Sequence, residues 1–104
     1  MKLFVFAVYD SASGIYDRPM VARSEGEMLR AFSDLAQNAD HPVGAHPEHY
    51  QLFSIGVYND GTAELEQKEV RCVARAHELV AKAKSPAPGS LLEFEKEKVN
   101  AYRS

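Results

Sequence analysis

The chain has 104 residues, 45% of them apolar and 26% charged, with a formal net charge of −3. That length is one small domain by ordinary size limits, and no apolar run approaches the ~20 residues of a membrane-spanning helix. The single cysteine, Cys72, excludes an internal disulfide, and the acidic balance excludes a protein that binds nucleic acid through overall positive charge.

Residues 2–10 are apolar on both alternating sets, Leu3, Val5, Ala7 and Tyr9 against Phe4, Phe6 and Val8. This reads as a strand covered on both faces, or with one aromatic face left for contact. Ser11-Ala12-Ser13-Gly14 is a turn, and residues 15–22 follow as a second strand. Pro19 cannot donate a ladder hydrogen bond, so this strand should be an edge or be interrupted. Ser24 and Glu27 fit a capping box, each side chain serving the other residue's backbone N–H. The helix they open runs to about Asn38, with Met28, Leu29, Phe32, Leu35 and Ala36 on one face. Pro42, Gly44 and Pro47 make 38–47 a loop. A long strand is expected over 48–59, with Phe53, Ile55 and Val57 on one face and Tyr50, Leu52 and Tyr58 on the other. Asn59-Asp60-Gly61 is a hairpin turn, because these residue types tolerate positive φ, and 62–66 is the return strand. Residues 70–73 could continue a strand; from Val73 onward Ala76, Leu79 and Val80 recur at helical spacing and favour a helix. The expected domain is residues 1–84, followed by a Pro/Gly/Ser linker at 85–90 and an amphipathic tail at 91–104. The fold class is α+β, with an antiparallel sheet of about four strands, one long helix and a second, shorter one.

Four stretches carry a resemblance. They are Val8-Tyr9-Asp10 with Arg18-Pro19; Glu27 to Asp34, reading EMLRAFSD; His46-Pro47-Glu48-His49-Tyr50; and Leu52 to Gly61, reading LFSIGVYNDG. In order and spacing they resemble the small nonstructural protein of gokushoviruses, Microviridae phages with single-stranded DNA genomes, which is often labelled a DNA-binding protein. The third stretch commonly reads His-Pro-Glu-Asp in that family, so His49 is a departure. The likeness covers roughly residues 2–62. It implies a role in single-stranded genome synthesis or packaging in the host bacterial cytoplasm, and it brings no catalytic residues with it.

Charge and aromatic placement give two functional expectations. Residues 1–67 hold four Lys/Arg against ten Asp/Glu, whereas residues 68–104 hold eight against five. Any DNA contact must therefore be local. Single-stranded nucleic acid is held by cations along its backbone and by aromatic platforms under its bases. The platforms on offer are Phe4, Phe6, Tyr9, Tyr16, Tyr50, Phe53 and Tyr58. The cations are Lys2, Arg18, Arg23, Arg30, Lys68, Arg71, Arg75 and Lys82. Of these, Lys2, Phe4, Tyr9, Tyr58, Lys68, Arg71 and Arg75 are the expected nucleic-acid-binding set, although most of the aromatics equally serve as core. The other expectation is a homodimeric interaction module that recruits a viral replication or capsid protein without touching DNA; the acidic first two-thirds suits it better, and a homodimer is expected under the DNA-binding reading as well.

Catalysis is not expected. No glycine-rich phosphate loop or nucleophile elbow is present. Cys72 and His77 are five apart, a spacing that does not align them on one helix face. Asp10 and Asp17 are explained by turn and strand-end roles. His41, His46 and His49 lie in one loop with Asp40 and Glu48, but their spacing matches no familiar zinc pattern, so solvated histidines on a Pro-set turn are expected, with no metal and no cofactor.

Overall fold

A computed structural model describes residues 1–84. The linker 85–90, the tail 91–104 and the side chain of Lys82 lie outside the described residues. Five strands, β1 (Lys2–Asp10), β2 (Ile15–Tyr16), β3 (Met20–Ala22), β4 (Tyr50–Asn59) and β5 (Glu64–Arg75), form one antiparallel sheet. Three helices accompany it: α1 (Glu25–Ala36), α2 (Pro42–Ala45) and α3 (Ala76–Lys84). A 3-10 turn at Pro47–His49 leads into β4. The α+β class with a long first helix and a shorter last one is as the sequence pattern indicates.

β1 is the central strand. It pairs with β4 along its whole length on one side and with β2 and β3 on the other. Pro19 falls between β2 and β3, where the missing N–H interrupts the edge as expected. β5 pairs with β4 and forms the opposite edge. Its first eight residues are all exposed, and Glu64, Glu66, Lys68, Glu69 and Arg71 lie along them. Charge on an exposed strand discourages pairing with another chain.

The helices cover one face of the sheet. Met28, Phe32 and Ala36 of α1 pack on Phe6, Val8 and Leu52, joined by Val43 of α2 and Ala76 of α3. Phe6, Phe32 and Leu52 are the largest fully buried side chains. Ser24 caps α1, its Oγ accepting from the Glu27 N–H at 3.0 Å. Glu27 reaches back one residue further than a capping box requires, accepting from the Arg23 N–H at 2.8 Å. α1 ends at Ala36, two residues before the expected stop, where the Gln37 N–H closes back on Ser33.

Residues 42–45 are helical where the prolines and glycine predict a loop. Pro42 sits at the first turn, which costs no hydrogen bond. His41 Nδ1 caps this helix, accepting from the Val43 N–H at 3.2 Å. Gly44 permits the close packing: a Cβ there would lie 1.9 Å from the Asn38 carbonyl oxygen and 2.9 Å from that of Leu35.

Three register shifts reset the strand pattern. Phe6 pairs with Ser54 but Val5 pairs with Gly56, so Ile55 is an extra residue in β4. Such a bulge shifts alternation by one. Val57 therefore joins the helix-side face opposite Phe4, and Tyr58 joins the open face opposite Leu3, the reverse of the simple period-two expectation. Gly56 is buried there and allows β5 to approach: a Cβ would lie 2.6 Å from the Glu66 carbonyl oxygen. In the β4–β5 ladder one shift, between Leu52 and Phe53, leaves Val73 unpaired, and another, between Ser54 and Gly56, sets Lys68, Glu69 and Val70 against Ile55. β5 runs through to Arg75, so the final helix starts at Ala76 rather than Val73. In the hairpin turn the left-handed residue is Ala63, φ 63°, rather than one of Asn59-Asp60-Gly61. Its N–H donates to the Asn59 carbonyl at 2.7 Å, while Asn59 Oδ1 accepts from the Gly61 N–H at 2.9 Å.

No helix among the described residues is long and apolar enough to cross a membrane. The two faces of the sheet differ in a way that mutation can measure. Leu52→Ala is expected to cost about 2–5 kcal/mol, the range for large-to-small changes in a packed core. Leu65→Ala, at a side chain 71% exposed on the other face, should stay within about 0.5 kcal/mol. Urea denaturation of the two variants checks the assignment; equal losses would refute it.

Candidate nucleic-acid interface

Leu3, Val5, Ala7 and Tyr9 alternate away from the helices, and among the described residues no helix covers them. Their cross-strand partners extend this open face. Val21 lies beside Val5, Phe53 beside Ala7, Tyr58 beside Leu3 and Leu65 beside Tyr58. Val5 and Ala7 are themselves buried, because they floor shallow depressions rimmed by Pro19, Ile55, Gln67 and Val70.

At the β2 end three rings meet. Tyr9 and Tyr16 lie with centroids 4.7 Å apart, Tyr16 and Phe53 5.5 Å apart, and Tyr9 and Phe53 6.1 Å apart, the latter two edge to face. The turn at residues 11–14 places Tyr16 directly across from Tyr9. Gly14, at φ 74°, completes that turn. Tyr16 remains 46% exposed. The cross-strand row Tyr16, Tyr9, Gln51, Arg75 runs the width of the sheet on this face. Three aromatic side chains and a guanidinium therefore occupy one end of one surface.

The seven residues expected to bind nucleic acid divide between two faces. Tyr9, Tyr58 and Arg75 belong to the open face. Tyr9 and Tyr58 stand near opposite ends of it, about six residues or ~20 Å apart along the strand. Lys2 and Phe4 alternate onto the helix side. Phe4, Lys68 and Arg71 line a cleft beside the start of α1, together with Glu25 and Glu69. The seven do not form one continuous site.

Three of the four cations in this set, Lys68, Arg71 and Arg75, are matched by carboxylates. Arg71 donates to Glu25 Oε1 at 2.5 Å, Lys68 to Glu66 Oε2 at 2.9 Å, and Arg75 lies 3.7 Å from Glu78. The hydrogen bond that Arg71 donates to Glu25 pushes the guanidinium's pKa up, with the charge of Glu25 adding to it. The hydrogen bond from Lys68 holds the Glu66 carboxyl below its usual range, with the charges of Lys68 and then Lys2 contributing. The helix-side cleft thus carries two cations against two carboxylates along its wall. It has little net attraction for a phosphate.

Tyr16 and Phe53 are the members of the aromatic group outside the selected set. The turn signal at residues 11–14 was enough to bring Tyr16 opposite Tyr9. Phe53 required the pairing of β1 with β4. The Arg71–Glu25 pair spans 46 positions and left no local signal.

This is an α+β domain whose antiparallel sheet is covered by helices on one face and presents an aromatic surface on the other. The chain belongs to the Phage ORF5 protein family, whose model matches residues 3–79, and it is a phage protein. No curated protein and no solved structure matches it. The matched span takes in the five strands apart from Lys2, all of α1 and α2, and the start of α3.

The Glu66 interaction has a definite pH signature. A depressed carboxyl pKa contributes stability above the unfolded value and loses it as pH falls through the folded one. Because the pair is exposed, that contribution is small. In an NMR titration Glu66 should protonate below its ordinary value of 4.5, and Lys68→Ala should move the midpoint upward. An unchanged midpoint in the variant would remove Lys68 as the cause.

Proposed function

We propose that the open face of the sheet binds single-stranded DNA, and that this phage protein acts as a nonstructural factor in genome synthesis or packaging in the host bacterial cytoplasm. The observation that carries the reading is the cluster of Tyr9, Tyr16 and Phe53 on a sheet face that none of the described helices covers. Aromatic rings on a sheet stack with bases regardless of sequence, at about 1–3 kcal/mol per base. Arg75 stands at the end of the Tyr9 row, where it can meet the sugar-phosphate backbone. The likeness to gokushovirus nonstructural proteins supports the same reading, since a single-stranded genome presents unpaired bases.

In this reading the binding residues are Tyr9, Tyr16, Phe53 and Arg75. Tyr58 extends the face at the far end. Lys2, Phe4, Lys68 and Arg71 are on the helix side and stand apart from the strand's path. No catalytic step and no cofactor is invoked.

A second reading uses the same surface differently. Val21, Leu65 and Val70 are 50%, 71% and 46% exposed on the open face. Contiguous exposed apolar area of this kind marks interaction surfaces. A homodimer, or a complex with a viral replication or capsid protein, would cover it. The acidic charge balance favours this alternative.

Fluorescence anisotropy with a labelled single-stranded oligonucleotide, titrated at several salt concentrations against a duplex control, separates the two. Under the DNA reading the single strand binds more tightly, and Tyr16→Ala weakens binding by about five- to hundredfold. Arg75→Ala reduces the salt slope by about 0.7, the single-strand value per phosphate. Absence of binding at low salt, with light scattering that gives a dimer mass, would select the interaction module instead.

A further inference from the structure

We propose that His46, Glu48 and His49 form a binding site for a zinc-class divalent ion. The site lies on the 3-10 turn and involves none of the residues assigned to DNA. The candidate ligand atoms of the three side chains all lie within 4.8 Å of one another. Glu48 Oε2 stands between the two imidazoles, 3.9 Å from His46 Nδ1 and 3.7 Å from His49 Nε2. The rings themselves are stacked, with centroids 5.7 Å apart and planes inclined by 23°. Bonds of about 2.0–2.2 Å in tetrahedral array hold ligand atoms roughly 3.3 Å apart. Closing the cluster therefore takes about an ångström or less of side-chain rotation for the two pairs through Glu48. All three side chains are 40% or more exposed and are free to make it.

The backbone beneath them is already fixed. The His46 N–H donates to the Pro42 carbonyl at 3.0 Å, and the His49 N–H to the His46 carbonyl at 3.0 Å. Ser11 anchors the turn from across the chain, its N–H and Oγ both donating to the His49 carbonyl, at 2.8 and 3.1 Å. Pro47 occupies the first position of the turn and restricts it further. Ligands carried on a fixed backbone lose less entropy on binding than ligands on a free loop.

His41 is not part of this site. Its Nδ1 accepts the Val43 N–H at the start of α2. Asp40 is likewise outside the clustered donor atoms, so the five residues that share the loop leave three. Two imidazoles and one carboxylate form an N2O donor set that suits zinc, copper or nickel rather than magnesium or calcium. Three protein ligands leave a fourth tetrahedral position, which water fills. The bound ion ties the turn before β4 into a closed chelate beside the end of β1.

Titration calorimetry with Zn²⁺, and the visible absorption of Co²⁺ as a spectroscopic stand-in, test the site on the full chain. One ion per chain is expected, together with a Tm that rises with free Zn²⁺ and does not rise with Mg²⁺. His46→Ala with His49→Ala should abolish both signals while circular dichroism stays unchanged, since the side chains are exposed. Glu48→Gln should weaken binding at least tenfold. His41→Asn, which preserves the helix cap, should leave binding intact. No ion bound at millimolar Zn²⁺, or binding that survives the double histidine variant, would overturn the proposal.

Discussion

Everything in this domain follows from a sheet whose central strand is apolar on both sides while the described helices supply cover for one. Phe6 and Val8 lie beneath α1 and share the core with Leu52 and Phe32. Val5 and Ala7, the residues between and beside them, face the other way and are buried only by the height of their neighbours. Transfer of apolar surface from water contributes about 25 cal/mol per Å². Filling the helix-covered side therefore accounts for most of the hydrophobic stability, and the open side keeps a surface that water covers poorly. The aromatic cluster at one end of that surface is a partial answer, since Tyr9, Tyr16 and Phe53 shield one another edge to face.

The bulge at Ile55 makes the two halves of the sheet different. Toward the helix end β4 turns Tyr50 and Leu52 into the core. Beyond the bulge the alternation changes phase, and Val57 rather than Tyr58 joins the helix-side face. Tyr58 is thereby added to the open side. Gly56 is required at this place because β5 passes too close for any side chain. Beyond the bulge β5 is the outer arm of a three-stranded stretch with β4 and β1, and it carries charges along its exposed edge. Charges that pair across or along the arm, such as Lys68 with Glu66, keep it soluble without making it basic.

Much of this was legible in the residues, and the failures have local causes. The α1 face, its Ser24 cap, the central strand and the interruption at Pro19 followed from periodicity and from the chemistry of single residues. The phase of β4 did not, because an extra residue in a ladder is visible only when its partner is known. The helical turn at residues 42–45 was hidden because Pro42 and Gly44 normally break helices. Here Pro42 begins one and Gly44 admits neighbouring backbone. The candidate site was half legible. Residue type identified Tyr9 and Arg75, and register placed them in one row. The same register put Lys2 and Phe4 on the opposite face, which no property of the individual residues could announce. The role of His41 as a cap depends on a turn geometry that the sequence pattern had not predicted.

The pairing of cations with carboxylates weighs less against DNA binding than it first suggests. Exposed ion pairs contribute little, with median values of about 0–1 kcal/mol, so exchanging Glu78 for a phosphate at Arg75 costs little. The displaced carboxylate nevertheless stays nearby and repels the phosphate. Under the DNA reading, stacking on the aromatic rings must then supply most of the affinity, and the salt dependence must be shallow. A partner protein on the same face would draw on the same rings through burial, with no salt requirement at all. The two readings compete for a single surface, and a second chain seated across Val21, Leu65 and Val70 would narrow or close the approach to Tyr16. Dimer formation and strand binding should therefore oppose one another if both occur, which makes the monomer the DNA-competent form.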